Sequence, residues 1–190
     1  MIDLLLAEMV AKLNLYFGLR SKGGPGDLFE CVTGDVSLHD KSAEGGGEEL
    51  FHDKVILTLV SVEEENAMRN NYPIREIGST FIKEKSAVYV NVFLLFSARY
   101  ETYVTSVQAI SHVISCFQAT RRLLISVNGE EQEAVLNLHN LGFENLNNLW
   151  TVMGGRYLPS VIYKARVLMF QQAPPVGGAL ITDVQSAETV

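Results

Sequence analysis

Val55-Ile56-Leu57-Thr58-Leu59-Val60-Ser61-Val62, closed by Glu63-Glu64-Glu65, and the later run Val88-Tyr89-Val90-Asn91-Val92-Phe93-Leu94-Leu95-Phe96 decide the fold. β-Branched and aromatic residues dominate both runs and period-two faces can be traced, which predicts strands over 54–62 and 85–97. Both faces of the second run are largely apolar. It is therefore expected centrally in a sheet, with a layer covering each side. The sheet is bordered by charge, and no nucleophile or metal cluster lies beside it, which points to assembly rather than catalysis.

Downstream of Ser97-Ala98 the apolar period lengthens from two to nearly four. Tyr103, Val107, Ile110, Ile114 and Phe117, edged by Val104 and Val113, predict a helix from Glu101 to Thr120 with that stripe on the sheet. A third strand is expected over Gln132–Asn140. A short helix follows, carrying Phe143, Leu146, Leu149, Trp150 and Met153 and ended by Gly154-Gly155, since glycine accepts a left-handed backbone without a Cβ clash. Pro159 marks a turn. Beyond it Val161, Tyr163, Ala165, Val167 and Met169 alternate with a side that holds Lys164 and Arg166, which predicts a strand with one solvated or partner-facing surface.

Upstream, Ile2, Leu5, Met9, Leu13 and Phe17, widened by Leu6, Val10 and Tyr16, form the stripe of an amphipathic helix that Gly18 is expected to stop. Leu28–Leu38 reads as one short strand between two glycine-rich loops, around residues 21–26 and 39–49. Neither loop has the GxxxxGK[ST] spacing of a phosphate cradle. The segment from Ala67 to Glu84, with Asn70-Asn71-Tyr72-Pro73 and Gly78, reads as a connection long enough to protrude and make contacts. Residues 1–170 are thus expected to form one α/β (α+β) domain. A central mixed or mainly antiparallel sheet is packed by an N-terminal helix, a long middle helix and a short helix in the C-terminal half. Residues 171–190 lose periodicity at Ala173-Pro174-Pro175 and Gly177-Gly178 and read as a flexible tail that orders only against a partner.

The chain has 190 residues, 47% of them hydrophobic, enough for one substantial core and too few for two full domains. A net charge of −7 opposes a nucleic-acid-coating role, which needs cations gathered on one face. Arg121-Arg122, the sole adjacent basic pair, is expected at a helix end. Cys31 and Cys116 are too few for a disulfide framework, and a reducing compartment fits. The first nineteen residues are interrupted by Asp3, Glu8 and Lys12 and read as neither signal peptide nor membrane span. Cytoplasmic folding is the expectation.

His112 and Cys116 stand four apart on one helical face, a possible metal pair or a structural one; two ligands do not make a site, and local spacing assigns neither Glu101 nor His139 to it. His39, His52, His112 and His139 occupy unrelated contexts, and Ser111-His112 is mere adjacency. No catalytic, cofactor or metal residues are assigned.

Three blocks, VILTLVSVEEENAMRN (55–70), VYVNVFLLFSA (88–98) and LNLHNLGFENLNNLWTVMGGRYLPSVIYKARVLMF (136–170), together with Tyr103–Gln118, resemble the small cap, or tail-terminator, proteins of phage-tail-like contractile injection systems. The ordered combination EEE…RN, NLxxLW and YLPSVxYKxR carries the resemblance, which extends over most of residues 1–170. Gly142 stands where that family often has serine before the short helix. The resemblance implies a non-enzymatic protein that forms a ring, expected to be sixfold, closing the inner tube and outer sheath. Its implied partners are other copies of itself and the sheath and inner-tube proteins, with no nucleic acid and no membrane insertion. Its place is the cytoplasm during assembly and then an intracellular or released particle. Another adaptor or baseplate-associated component of the same machine, and a small hydrolase, are the alternatives.

Two groups of charges are candidate interface residues within that frame. Glu63, Glu64 and Glu65 with Arg69 and Asn70 form either a solvated strand end with an intrachain arginine pair or a charged contact that sets register with a partner. Lys164 and Arg166 are either ordinary solvent-facing residues or an attachment point for an acidic neighbour. Trp150, Tyr157 and Pro159 are read as architecture, with Trp150 buried against the sheet rather than exposed as an anchor.

Overall fold

A computed structural model describes residues 1–20, 29–38, 51–65, 74–77, 80–83, 88–127, 129–154, 156–169 and 176–179. The two runs quoted first become β2 (Lys54–Glu64) and β5 (Val88–Arg99), which pair antiparallel. Val55, Leu57, Val92, Leu94, Phe96 and Ala98 are buried on one face, and Ile56 and Leu95 on the other. Both faces shed water, which is why the runs read as continuous apolar stretches.

Around this pair the sheet grows to six strands in the order β1-β2-β5-β8-β7-β6. Here β1 is Cys31–Thr33, β6 Arg122–Val127, β7 Glu130–His139 and β8 Ser160–Met169. Only β1 runs parallel to its neighbour. The sheet is curled. Helix α1 (Ile2–Arg20) packs against both β1 and β6, the two opposite edges. Its Leu5, Met9, Leu13 and Phe17 enter the main core with α2 (Tyr103–Ala119) beside it. Helix α3 (Phe143–Val152) covers part of the other face, where Trp150 joins Val36, Ile56, Leu95 and Ile162. The fold is therefore the single α+β domain expected.

Several local expectations are corrected. α1 continues past Gly18, whose φ is not positive; a glycine ends a helix by turning left-handed, and this one does not. The segment read as one strand over 28–38 pairs only at Cys31–Thr33 and then leaves the edge for a 3-10 turn at Val36–Leu38. Thr58 causes the departure: its Oγ1 donates to the Gly34 carbonyl at 2.7 Å and accepts from the Val36 N–H at 3.2 Å. Gly34 has no room for a side chain, because an added Cβ would lie 2.2 Å from Phe51.

Arg122 opens β6 instead of closing a helix. β6 pairs antiparallel with β7 up to Val127 opposite Glu130, and Gly129, just before β7, has φ 85°. The α2 stripe is also rotated. Tyr103, Val104 and Val107 are exposed, and the buried row is Ser106, Ala109, Ile110, Val113, Cys116 and Phe117. The small Ser106 and Ala109 let the helix sit close to the sheet, and Ser106 Oγ accepts the Tyr100 N–H at 3.1 Å. The connection over Ala67–Glu84 contains β3 (Ile74–Ile77) and β4 (Thr80–Lys83), which pair antiparallel. Within 171–190, β9 (Val176–Ala179) pairs with β4 to complete a second, three-stranded sheet.

The edge at β1 is closed by a side chain. Asn14 of α1 donates from Nδ2 to the Cys31 carbonyl at 2.9 Å and accepts the Cys31 N–H on Oδ1 at 2.7 Å, as a neighbouring strand would. Asn14→Ala strands both groups in a partly buried place and is expected to cost about 1–3 kcal/mol; the chemical-denaturation midpoint checks it. Trp150 is 4% exposed while Tyr157, edge-on to it at 5.7 Å, is 60% exposed. Trp150→Ala should therefore cost about 3–5 kcal/mol, and Tyr157→Ala, in the same measurement, clearly less.

Candidate functional site

α3 covers only part of its sheet face, and the remainder is where the candidate interface residues lie. Strand alternation places Asn91 and Phe93 of β5 on this face. Register sets Asn91 opposite Arg166 and Phe93 opposite Lys164. On the other side of β8, Val135 faces Arg166, Asn137 faces Lys164 and His139 faces Ile162. The result is a polar and aromatic field across three strands, bordered by the apolar Leu95–Ile162–Trp150 cluster.

Within the field, Glu65 is the organising anion. Its N–H donates to the Tyr89 carbonyl at 2.8 Å, extending the β2–β5 ladder by one rung. Its carboxylate accepts from Asn91 Nδ2 at 2.9 Å and lies 4.0 Å from Lys164 Nζ. With the lysine side chain 33% exposed, that ion pair holds Lys164 only weakly. The Arg166 guanidinium stands 6.0 Å from the centre of the Tyr89 ring, a cation–π contact that lays its stem along the sheet. Phe93 and His139 meet edge-on at 5.0 Å.

The acidic tract is divided. Between Leu59 and Ser61 the β2–β5 register shifts, leaving Val60 as an extra residue. Glu63 then pairs with Asn91 and shares the field, whereas Glu64 pairs with Val90 and lies on the opposite face. Arg69 and Asn70 lie outside the described residues. The structure thus brings Glu63, Glu65, Lys164 and Arg166 together and sets Glu64 apart. The Pro159 carbonyl accepts the Ala98 N–H at 2.9 Å, at the foot of the β5–β8 pairing.

Tyr89, Asn91, Phe93 and Asn137 were not singled out from the sequence, and His139 was weighed there only as a metal or catalytic histidine. The parity of Tyr89, Asn91 and Phe93 was visible there. The register that sets them against Lys164 and Arg166 joins segments some seventy residues apart and has no local signal.

His112, four residues before Cys116 on α2, lies in an aromatic cluster. The imidazole sits among the rings of Phe29 at 5.3 Å, Tyr16 at 6.3 Å and Phe17 at 6.4 Å. Cys116 is buried, and burial pushes its thiol up to about 11; Cys31 is likewise buried and free, pushed up to about 12. No three His, Cys, Asp or Glu among the described residues are placed to hold a metal ion. His52 pairs with Asp53 at 3.0 Å on the surface, apart from the field. No described helix is long and apolar enough to cross a membrane.

The chain was compared with known proteins. The model of the Pvc16 N-terminal domain family matches residues 12–182. No curated protein sequence matches. Among solved structures, the sheath/tube terminator, in its extended state, of an extracellular contractile injection system (PVC) is similar over 100% of this chain and 63% of its own. Its TM-score is 0.58 at 15% identity. The tube-terminating cap of the anti-feeding prophage is similar over 99% of this chain and 61% of its own, with a TM-score of 0.60 at 13% identity. The chain thus spans about three-fifths of the length of these structures, and at such identities the likeness is one of fold.

His112 offers a test of the packing beside the α1–α2 contact. Burial, and next the charge of Arg20, hold its pKa below the usual 6.5. A depressed folded-state pKa means that stability is complete above 6.5 and is lost as pH falls through that value. From about pH 7 to about pH 5, the wild type should lose more stability than His112→Phe, which keeps a ring but cannot be protonated. Denaturation midpoints of the two proteins across that range check the difference.

Proposed function

Because the chain belongs to the Pvc16 N-terminal domain family, we propose that it is a non-enzymatic cap protein whose copies form a ring, sixfold in our reading, that terminates the inner tube and sheath of a contractile injection system. The observation that carries this reading is the fold shared along the whole chain with a sheath/tube terminator and a tube-terminating cap. The architecture suits the task. Chemistry would need convergent titratable groups in a dry cleft, whereas the conspicuous groups here lie on an open sheet face.

That face supplies the attachment. Lys164 and Arg166 project from alternate positions of one rigid strand, each backed by a neighbouring strand on either side. Charges presented on a sheet keep their spacing, so they select a partner by register as well as by sign. In this reading they meet an acidic surface of the last tube or sheath layer, with Glu63 and Glu65 rejecting misaligned contacts. The protein assembles in the cytoplasm and ends as part of the particle.

Imaging purified particles that carry a tagged copy tests the cap role: the label is expected at the tube end away from the baseplate, and a label at the baseplate supports the adaptor alternative. On the same particles, Lys164→Gln/Arg166→Gln should lower end occupancy and flatten its decline with added salt, because screening acts on exposed charges beyond about 10 Å at 0.1 M. The melting temperature should be unchanged. Equal occupancy and equal salt dependence in wild type and variant would remove the pair from attachment.

A further inference from the structure

The charged field reaches further across the sheet than β8. Leu123 and Ile125 of β6 and Ala134 and Leu136 of β7 are buried in the main core, so strand alternation turns Arg122, Leu124, Glu133 and Val135 to the face of Lys164 and Arg166. Register then sets one row across five strands. Glu63 lies opposite Asn91, Asn91 opposite Arg166, Arg166 opposite Val135, and Val135 opposite Arg122. Arg122 and Arg166 thus stand two strands apart, about 10 Å between their Cα atoms.

Arg122 is held lightly. Its Nη1 donates to Glu133 Oε1 at 3.1 Å, and the two side chains are 73% and 42% exposed. An exposed pair of this kind contributes little, so its guanidinium is free to exchange Glu133 for an outside carboxylate. The floor beside it is apolar. Val135 is half-buried between the two arginines, and Leu124, next in line on β6, is 60% exposed. Arg166 in turn lies over the Tyr89 ring. Arginines set among aromatic and apolar side chains are the composition enriched at protein interfaces.

We infer that Arg122 is a further specificity-determining residue of the attachment surface, a second guanidinium that engages the acidic tube or sheath layer in step with Arg166. The inference rests on the attachment reading given above. Charge alternates across the row and its neighbours: acids on β2, cations on β8, Glu133 on β7, a cation on β6. A partner whose acids are spaced by one strand meets Glu133 and is repelled, whereas one whose acids are about 10 Å apart gains both arginines. Glu133 therefore acts twice, holding Arg122 over β7 before docking and penalising the wrong spacing.

The test titrates the tagged full chain onto sheathed tubes that lack the cap and reads end occupancy at low and high salt. Arg122→Gln should raise the concentration needed for half occupancy roughly two- to fivefold and flatten its rise with salt. Glu133→Gln, which frees Arg122 and removes an acid from the surface, should lower that concentration by a similar factor. A merely structural pair would behave otherwise, because both variants break the same contact and would shift occupancy in the same direction. Melting temperature should be unchanged in both. Wild-type occupancy and salt dependence in Arg122→Gln, or weaker binding by Glu133→Gln, overturns the role. The two readings fail separately: attachment lost in Lys164→Gln/Arg166→Gln but kept in Arg122→Gln strikes only Arg122, while a wild type that never occupies tube ends overturns the cap reading and Arg122 with it.

Discussion

The constraint on which the domain depends is the contact of one helix with both edges of one sheet. A six-stranded sheet with free edges is open to pairing with other chains and leaves main-chain donors and acceptors to water. Here the sheet curls until β1 and β6 both meet α1. Asn14 completes the closure at β1 by presenting to Cys31 the donor and acceptor of a missing strand. Leu5, Met9, Leu13 and Phe17 supply the apolar weight that holds the helix in this position. If α1 shifts, the edge bonds, the main core and the bed on which α2 lies change together.

That arrangement divides the labour between the two faces of the sheet. The face towards α1 and α2 is the larger core. α3 covers the other face incompletely, from the side of Trp150, and the strands run on beyond its cover. A charge on that stretch is held by strands packed on their far side, which gives it a fixed position while it stays partly exposed. Glu65 and Asn91 knit β2 to β5 within this stretch, so the charged field is also part of the sheet's own cohesion.

Much of this was legible in the sequence. β2 and β5 were found because both their faces are buried, and α1 because its large side chains recur at three and four. The alternation from Val161 correctly separated Lys164 and Arg166 from the buried Tyr163, Ala165 and Val167. What escaped has physical reasons. α2 was placed correctly but rotated, because Ser106 and Ala109 carry the burial and apolar counting passes over small residues. β6 was missed since only six residues alternate there behind an arginine pair, although Asn128-Gly129 is a hairpin signal. Cross-strand register is absent from any local window, so the companions of Lys164 and Arg166 became visible only when β5, β7 and β8 were set side by side.

The extra residue in β2 limits how this strand can change length over evolutionary time. Deleting any residue between Ser61 and Glu64 would turn the side chains on one flank of the gap to the other face, carrying acids towards the core or apolar groups to water. Val60 is different: it has no partner in β5, and Leu59 and Ser61 already oppose the adjacent Leu94 and Phe93. Its loss would straighten the strand and remove one apolar contact beside the Trp150 cluster while every pairing stayed in place. Single-residue gaps and insertions among relatives should therefore gather at this position, and a designer who needs to re-aim the charged end of the strand has one place to lengthen or shorten the chain.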